Sequence, residues 1–152
     1  MNECLVSDLG GRELRFQGNL ILERETQVDL HDEFTRSFAI KVYAVEGGGF
    51  VPTLEYTTTS PGEKPVRTFE NVDTMKDIEC FYFVFETNEV RGDWKGLTRA
   101  EWDQRTEDNR RLEKRFEKFI FPLLDEIWDT AERKGFVDKQ VEKKKSLWTL
   151  LG

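Results

Sequence analysis

The side chains that could carry chemistry are few and scattered. His31 is the single imidazole in 152 residues and sits in the polar run His31-Asp32-Glu33; Cys4 and Cys80 are the two thiols. Nucleophilic catalysis of the Ser-His-Asp or Cys-His kind needs a base that titrates near neutrality, and no G-x-S-x-G elbow accompanies this histidine. One His and two distant Cys also exclude a four-ligand Cys/His zinc site within the chain and a disulfide framework. The expectation is therefore no catalytic residue, no metal and no cofactor, with His31 on a surface loop and each Cys a small apolar filler.

Gly47-Gly48-Gly49 lacks the Lys-Ser/Thr of a phosphate loop and precedes an alternating, strand-like segment, so a hairpin turn explains it. Asp73 with Asp77, and Asp125 with Glu126 and Asp129, set carboxylates within one helical turn. In a chain with 30 acids such pairs arise by composition, and solvated faces are the expected outcome. More singular are Trp94, in a glycine-flanked loop, and Trp102, the lone large apolar group on a polar helical segment that also carries Arg105. These three mark a candidate interface, because Trp and Arg are enriched where proteins bury one another's surface. A second candidate is an aromatic pocket between Phe38, Tyr56, Phe81 and Phe119, which would suit a small-molecule ligand.

The elements that must position these groups follow from periodicity. Leu14 and Phe16 alternate with polar residues, Gly18 reads as a bulge or kink, and Leu20, Ile21 and Leu22 lead into a further strand. Phe38, Ile40, Val42 and Ala44 share one face of a strand; Phe50, Leu54 and Tyr56 resume the alternation after the glycines. Pro52 has no amide hydrogen, which predicts an edge or bulged position. Val66, Thr68 and Phe69 supply one more short strand.

From Asp73 the spacing of Val72, Met75, Ile78, Phe81, Tyr82 and Phe85 predicts a short helix over 73–86, capped by Asn71 or Asp73. The alternative is a helix ending near Glu79 and a strand from Cys80 to Glu86. Residues 88–96 read as a loop. Thr98-Arg99-Ala100-Glu101 then matches a capping box, Leu112, Phe116, Phe119, Ile120, Leu123, Leu124, Ile127, Trp128 and Ala131 trace a core-facing stripe, and Gly135 provides the stop after Arg133-Lys134.

A helix over 98–134 would be about 55 Å long, whereas a globule of this chain length is about 40 Å across. Either Pro122 kinks it or its polar first half, to Arg111, packs against a second chain. The fold class is thus α+β in a single domain spanning 1–152: an antiparallel sheet of four to five strands within 12–69, a short helix, a long C-terminal helix, and a basic segment over 135–152.

Charge completes the reading. Residues 1–130 carry 17 basic and 27 acidic groups, net −10; residues 131–152 carry 6 and 3, net +3. An acidic body disfavours nucleic acid and anionic membranes, and Lys143-Lys144-Lys145 reads as a solvated face or a partner for that body. No leader-like or membrane-length apolar segment is present in the sequence, which predicts a cytoplasmic location. The function favoured is a non-enzymatic regulatory protein, immunity- or chaperone-like, that self-associates through its long helix. The alternative is a small-molecule binder or enzyme using the aromatic pocket.

Overall fold

The computed structural model describes residues 1–85, 90, 92 and 94–137. Five antiparallel strands, β1 (Asn2–Ser7), β2 (Glu13–Val28), β3 (Arg36–Val45), β4 (Phe50–Thr58) and β5 (Val66–Phe69), form one meander in sequence order. Two helices follow, α1 (Met75–Phe83) and α2 (Arg99–Arg133). The α+β architecture matches the periodicity of the sequence. Lys143 to Lys145 and the rest of the basic segment beyond residue 137 lie outside the described residues, as do Glu86 and parts of the 88–96 loop.

β3 is the spine of the sheet. Its Phe38, Ile40, Val42 and Ala44 are buried against the helices together with Phe50, Leu54 and Tyr56 of β4. The glycine turn joins these strands as expected: Gly47, Gly48 and Gly49 all have positive φ, a region that disfavours other residues, and the Val45 amide donates to the Gly49 carbonyl at 3.0 Å.

β1 extends the sheet beyond the expected limits of 12–69. Its six residues pair with residues 13–18 of β2, and only Val6 is buried, so its apolar pattern was too weak to signal a strand. β2 is one strand of 16 residues rather than two. The register shifts between Leu20 and Leu22, opposite Tyr43 and Val42. This bulge puts Leu20 and Leu22 on opposite sheet faces and buries Ile21 and Leu22 together, which is why the triplet breaks the alternation.

The sheet is curled. On its other face Val6, Val51 and Phe69 form a second cluster backed by Leu14, Phe16, Tyr43 and Val45, which brings the first and last strands together. Arg12 ties that end: its Nη2 donates to the Phe69 carbonyl at 2.6 Å and its guanidinium lies 4.3 Å from the Phe69 ring centre.

Pro52 is a correction. β4 is flanked on both sides, by β3 and β5, so it is not an edge strand. The Val45–Gly49 bond sets the alternation of the β3–β4 ladder, leaving Val42 and Pro52 a pair without mutual hydrogen bonds. The nitrogen of Pro52 then faces β5, whose pairing ends one position earlier at Phe69, while the Glu70 amide donates to the Pro52 carbonyl at 3.3 Å. The missing donor is thus absorbed where β5 terminates.

α1 is a helix through Phe83, not a helix followed by a strand from Cys80. Its cap is Thr74, not Asn71 or Asp73. The Asp77 amide donates to Thr74 Oγ1 at 3.1 Å and the Thr74 amide to Asp77 Oδ2 at 3.2 Å, a reciprocal box built with Asp in place of Glu. Met75, Ile78 and Tyr82 are buried, and the Tyr82 hydroxyl donates to the Thr53 carbonyl at 3.0 Å.

In α2 the Thr98–Glu101 box forms as expected, with bonds of 3.2 and 3.1 Å. Gly135 takes φ 78° after the helix, the Gly135 amide donates to the Glu132 carbonyl at 3.0 Å, and the Phe136 amide to that of Ala131 at 2.9 Å. Those two bonds are the Schellman pattern. The helix runs through Pro122, which lies on its exposed side. Thirty-five residues give about 52 Å of helix. Burial begins at Leu112; before it, Arg99–Asp103, Gln104–Asp108 and Glu107 with Arg110 and Arg111 form i,i+3 and i,i+4 pairs that support the helix without a core.

The tightest backbone approach is at Gly18, where an added Cβ would sit 2.5 Å from the Ala44 carbonyl oxygen and 2.9 Å from the Phe16 ring. Gly18→Ala is expected to cost about 2 kcal/mol in denaturant unfolding, against less than about 0.5 for Gly10→Ala in the open β1–β2 turn; equal losses would refute the close-approach argument.

Candidate functional site

Trp94, Trp102 and Arg105, selected from sequence as an interface, are brought together. Trp94 meets Trp102 edge to face with ring centres 4.5 Å apart. Arg105, one turn further along α2, spreads its guanidinium under the backbone of Gly62, whose missing side chain leaves room for it. The Gly92 amide donates to the Gly62 carbonyl at 3.0 Å, and the Val90 carbonyl accepts from the Lys64 amide at 2.7 Å. A cavity of about 40 Å³ remains between Ser60, Glu63, Val90, Asp108, Asn109 and Leu112. That is room for a few waters, not for an organic ligand. Trp102 itself stays 47% exposed.

Glu63 links this corner to a buried ion network that sequence reading missed. The Arg36 side chain is 1% exposed; its Nε lies 3.1 Å from both Glu63 carboxylate oxygens and its Nη1 donates to Asp32 Oδ1 at 2.9 Å. The Tyr56 and Thr58 hydroxyls donate to Glu63 Oε1 at 2.6 and 2.8 Å. Burial alone would lower the affinity of the guanidinium for its proton, but Asp32 and Glu63 outweigh it and hold the Arg36 pKa above its ordinary value. The Arg36 hydrogen bond holds the Asp32 carboxyl below its ordinary 3.8, and burial, reinforced by Glu63, raises the Tyr56 phenol. Every one of these groups is engaged by another member, so the network braces the sheet end. An Arg heading a strand that otherwise reads apolar was the available signal.

The four pocket residues part company. Phe38 and Tyr56 are fully buried and 4.9 Å apart, and Phe38 also meets Phe116 at 5.0 Å and Phe85 at 6.1 Å. They fill space rather than line it. Phe81 and Phe119 lie at the margin of the same core, half-buried. Phe81, with Cys80, Val84 and Phe85, borders an open groove between α1 and β5.

His31 is exposed in the β2–β3 loop with φ 62°, near Asp29. The thiols depart from expectation: Cys80 is exposed and Cys4 half-buried, because Cys80 falls on the outer side of α1 and β1 has little core to offer. Asp77 is spent on the α1 cap, Glu126 pairs with Arg24, and Glu79 accepts from the Trp128 indole at 2.9 Å. Among the described residues no group of three or more His, Cys, Asp or Glu is arranged to hold a metal, and no helix is long and apolar enough to cross a membrane.

One surface feature remains. Phe83 at the end of α1 and Phe121 of α2 are 54% and 51% exposed with ring centres 5.8 Å apart, and neighbouring Val84 is 70% exposed. A helical wheel would have found it: Phe121 lies about 140° around α2 from Phe116, outside the buried stripe. Comparison with family models, with curated proteins and with solved structures yields no match, so the surface itself has to supply the functional reading.

Glu63→Gln leaves the buried Arg36 short of charge and is expected to cost about 3 kcal/mol in chemical denaturation; a loss below about 1 would contradict the bracing role. The pH dependence has a definite sign. A carboxyl with a lowered folded pKa stabilises above its unfolded value and loses that contribution as pH falls through the folded one. The stability gap between wild type and Asp32→Asn should therefore close as pH drops below 3.8, and a gap that persists would remove Asp32 from the network.

Proposed function

We propose that this chain is a non-enzymatic interaction protein of the cytoplasm, regulatory in role, that self-associates through its long helix. The observation that carries the reading is the exposed Phe83–Val84–Phe121 patch. Large apolar side chains at the surface lose water when a partner covers them, and Phe83 and Phe121 meet there with about half of each ring still in water. Two further features support it. The first half of α2 extends past its buried stripe, as a helix that meets a second chain would, and the buried polar groups around Arg36 spend their bonding capacity on one another.

Sedimentation from about 1 to 100 µM should take the 17.9 kDa chain from monomer toward dimer, the range in which a modest interface associates. Phe121→Ser should weaken that association at least about tenfold while changing unfolding stability by less than about 1 kcal/mol, since the side chain is already half in water. A strict monomer throughout, or a dimer indifferent to Phe121, would overturn the proposal.

A further inference from the structure

The exposed side of α2 is ordered by charge, its basic end standing beside Asp29 and His31 of the β2–β3 loop. Arg111, Lys114, Lys118, Phe121, Asp125, Asp129 and Glu132 follow one another at spacings of three and four, so they share one stripe, and all are exposed. The stripe is basic from Arg111 to Lys118 and acidic after Phe121, with Glu107 one turn before Arg111 and exposed Glu117 one turn before Phe121. Arg111 is engaged by Glu107, and Asp129 and Glu132 have interactions within the chain, whereas Lys114, Lys118 and Asp125 make no ion pair among the described residues. The chain as a whole carries −7, so a basic run on its longest helix is not a sample of average composition.

We infer that the partner is a second copy of this chain, with the two α2 helices packed antiparallel about a two-fold axis between Phe121 and Pro122. The inference rests on the self-association proposed above and specifies its geometry. With the axis there, Lys118 of each copy faces Asp125 of the other, Lys114 faces Asp129, and Arg111 faces Glu132. The symmetry repeats each pairing. The two Phe121 rings meet at the centre, flanked by Phe83 and Val84, which gives an apolar middle and a charged rim. A parallel pairing would set Lys on Lys and Asp on Asp. Exposed ion pairs add little affinity each, but they choose orientation and register, the role this pattern fits.

Two charge reversals test the arrangement. Lys114→Glu with Lys118→Glu, and separately Asp125→Lys with Asp129→Lys, should each weaken self-association at least about tenfold by sedimentation. An equimolar mixture of the two variants should form a heterodimer at wild-type strength, because every reversed charge then faces its opposite. The mixture also shows that both variants are folded. If wild type dimerises and neither reversal weakens it, or the mixture is no stronger than its components, the antiparallel register is wrong while self-association stands. If wild type is monomeric at all concentrations, both fall.

Discussion

The structure depends on one mutual burial: the apolar face of the sheet against the two helices, with α2 resting on β2 and β3 and α1 on β4. Neither could stand in water alone. Phe38 meets Phe116 at the centre of this contact, with Tyr56 on one side and Phe85 on another, so rings from β3, β4, α2 and the segment after α1 share one cluster. Aromatic groups bury more area per residue than aliphatic ones, which is how a chain with 38% hydrophobic residues assembles a core. α1 is recruited to the same interface through Met75, Ile78 and Tyr82. Everything distinctive at the surface follows from where that burial starts and stops along α2.

It starts at Leu112 and stops at Ala131, leaving the first thirteen residues of the helix to be held by a cap and by pairs between neighbouring turns. Tertiary anchorage there includes the corner where Arg105 lies under Gly62 and Trp102 meets Trp94. That corner is backed by Glu63, which neutralises Arg36 at the head of β3. Charge buried in this way contributes to uniqueness of geometry more readily than to net stability, and here it fixes the 58–66 connection against the sheet on which the helix rests.

What was legible in the sequence was whatever periodicity or local bonding determines by itself. The β3–β4 hairpin, the Thr98 capping box and the Gly135 stop each arise from residues close in sequence, and each stands as expected. β1 was illegible because a six-residue strand with one buried side chain has no pattern to show. β2 looked like two strands because a bulge puts three consecutive apolar residues where alternation predicts two. Pro52 misled because the position of a missing donor matters only relative to the end of β5, a fact of pairing and not of sequence. Cys80 and Phe121 were misplaced or passed over for a related reason: their types suit a core, and only the helix's angular position turns them outward. Of the site residues, Trp94, Trp102 and Arg105 could be grouped by rarity, whereas Arg36 and Glu63 are 27 positions apart and meet only through the fold.

Antiparallel pairing of the exposed side of α2 with that of a second copy is read most directly as a distance. A single spin label at Gln104, or at Glu113, in a chain with Cys4 and Cys80 changed to Ser, reports the separation of the two copies by pulsed electron resonance. Antiparallel helices with their axis between Phe121 and Pro122 place the labels about 50 Å apart at position 104 and about 25 Å apart at position 113. Equal separations at the two positions, or no coupling between copies at either, would contradict it.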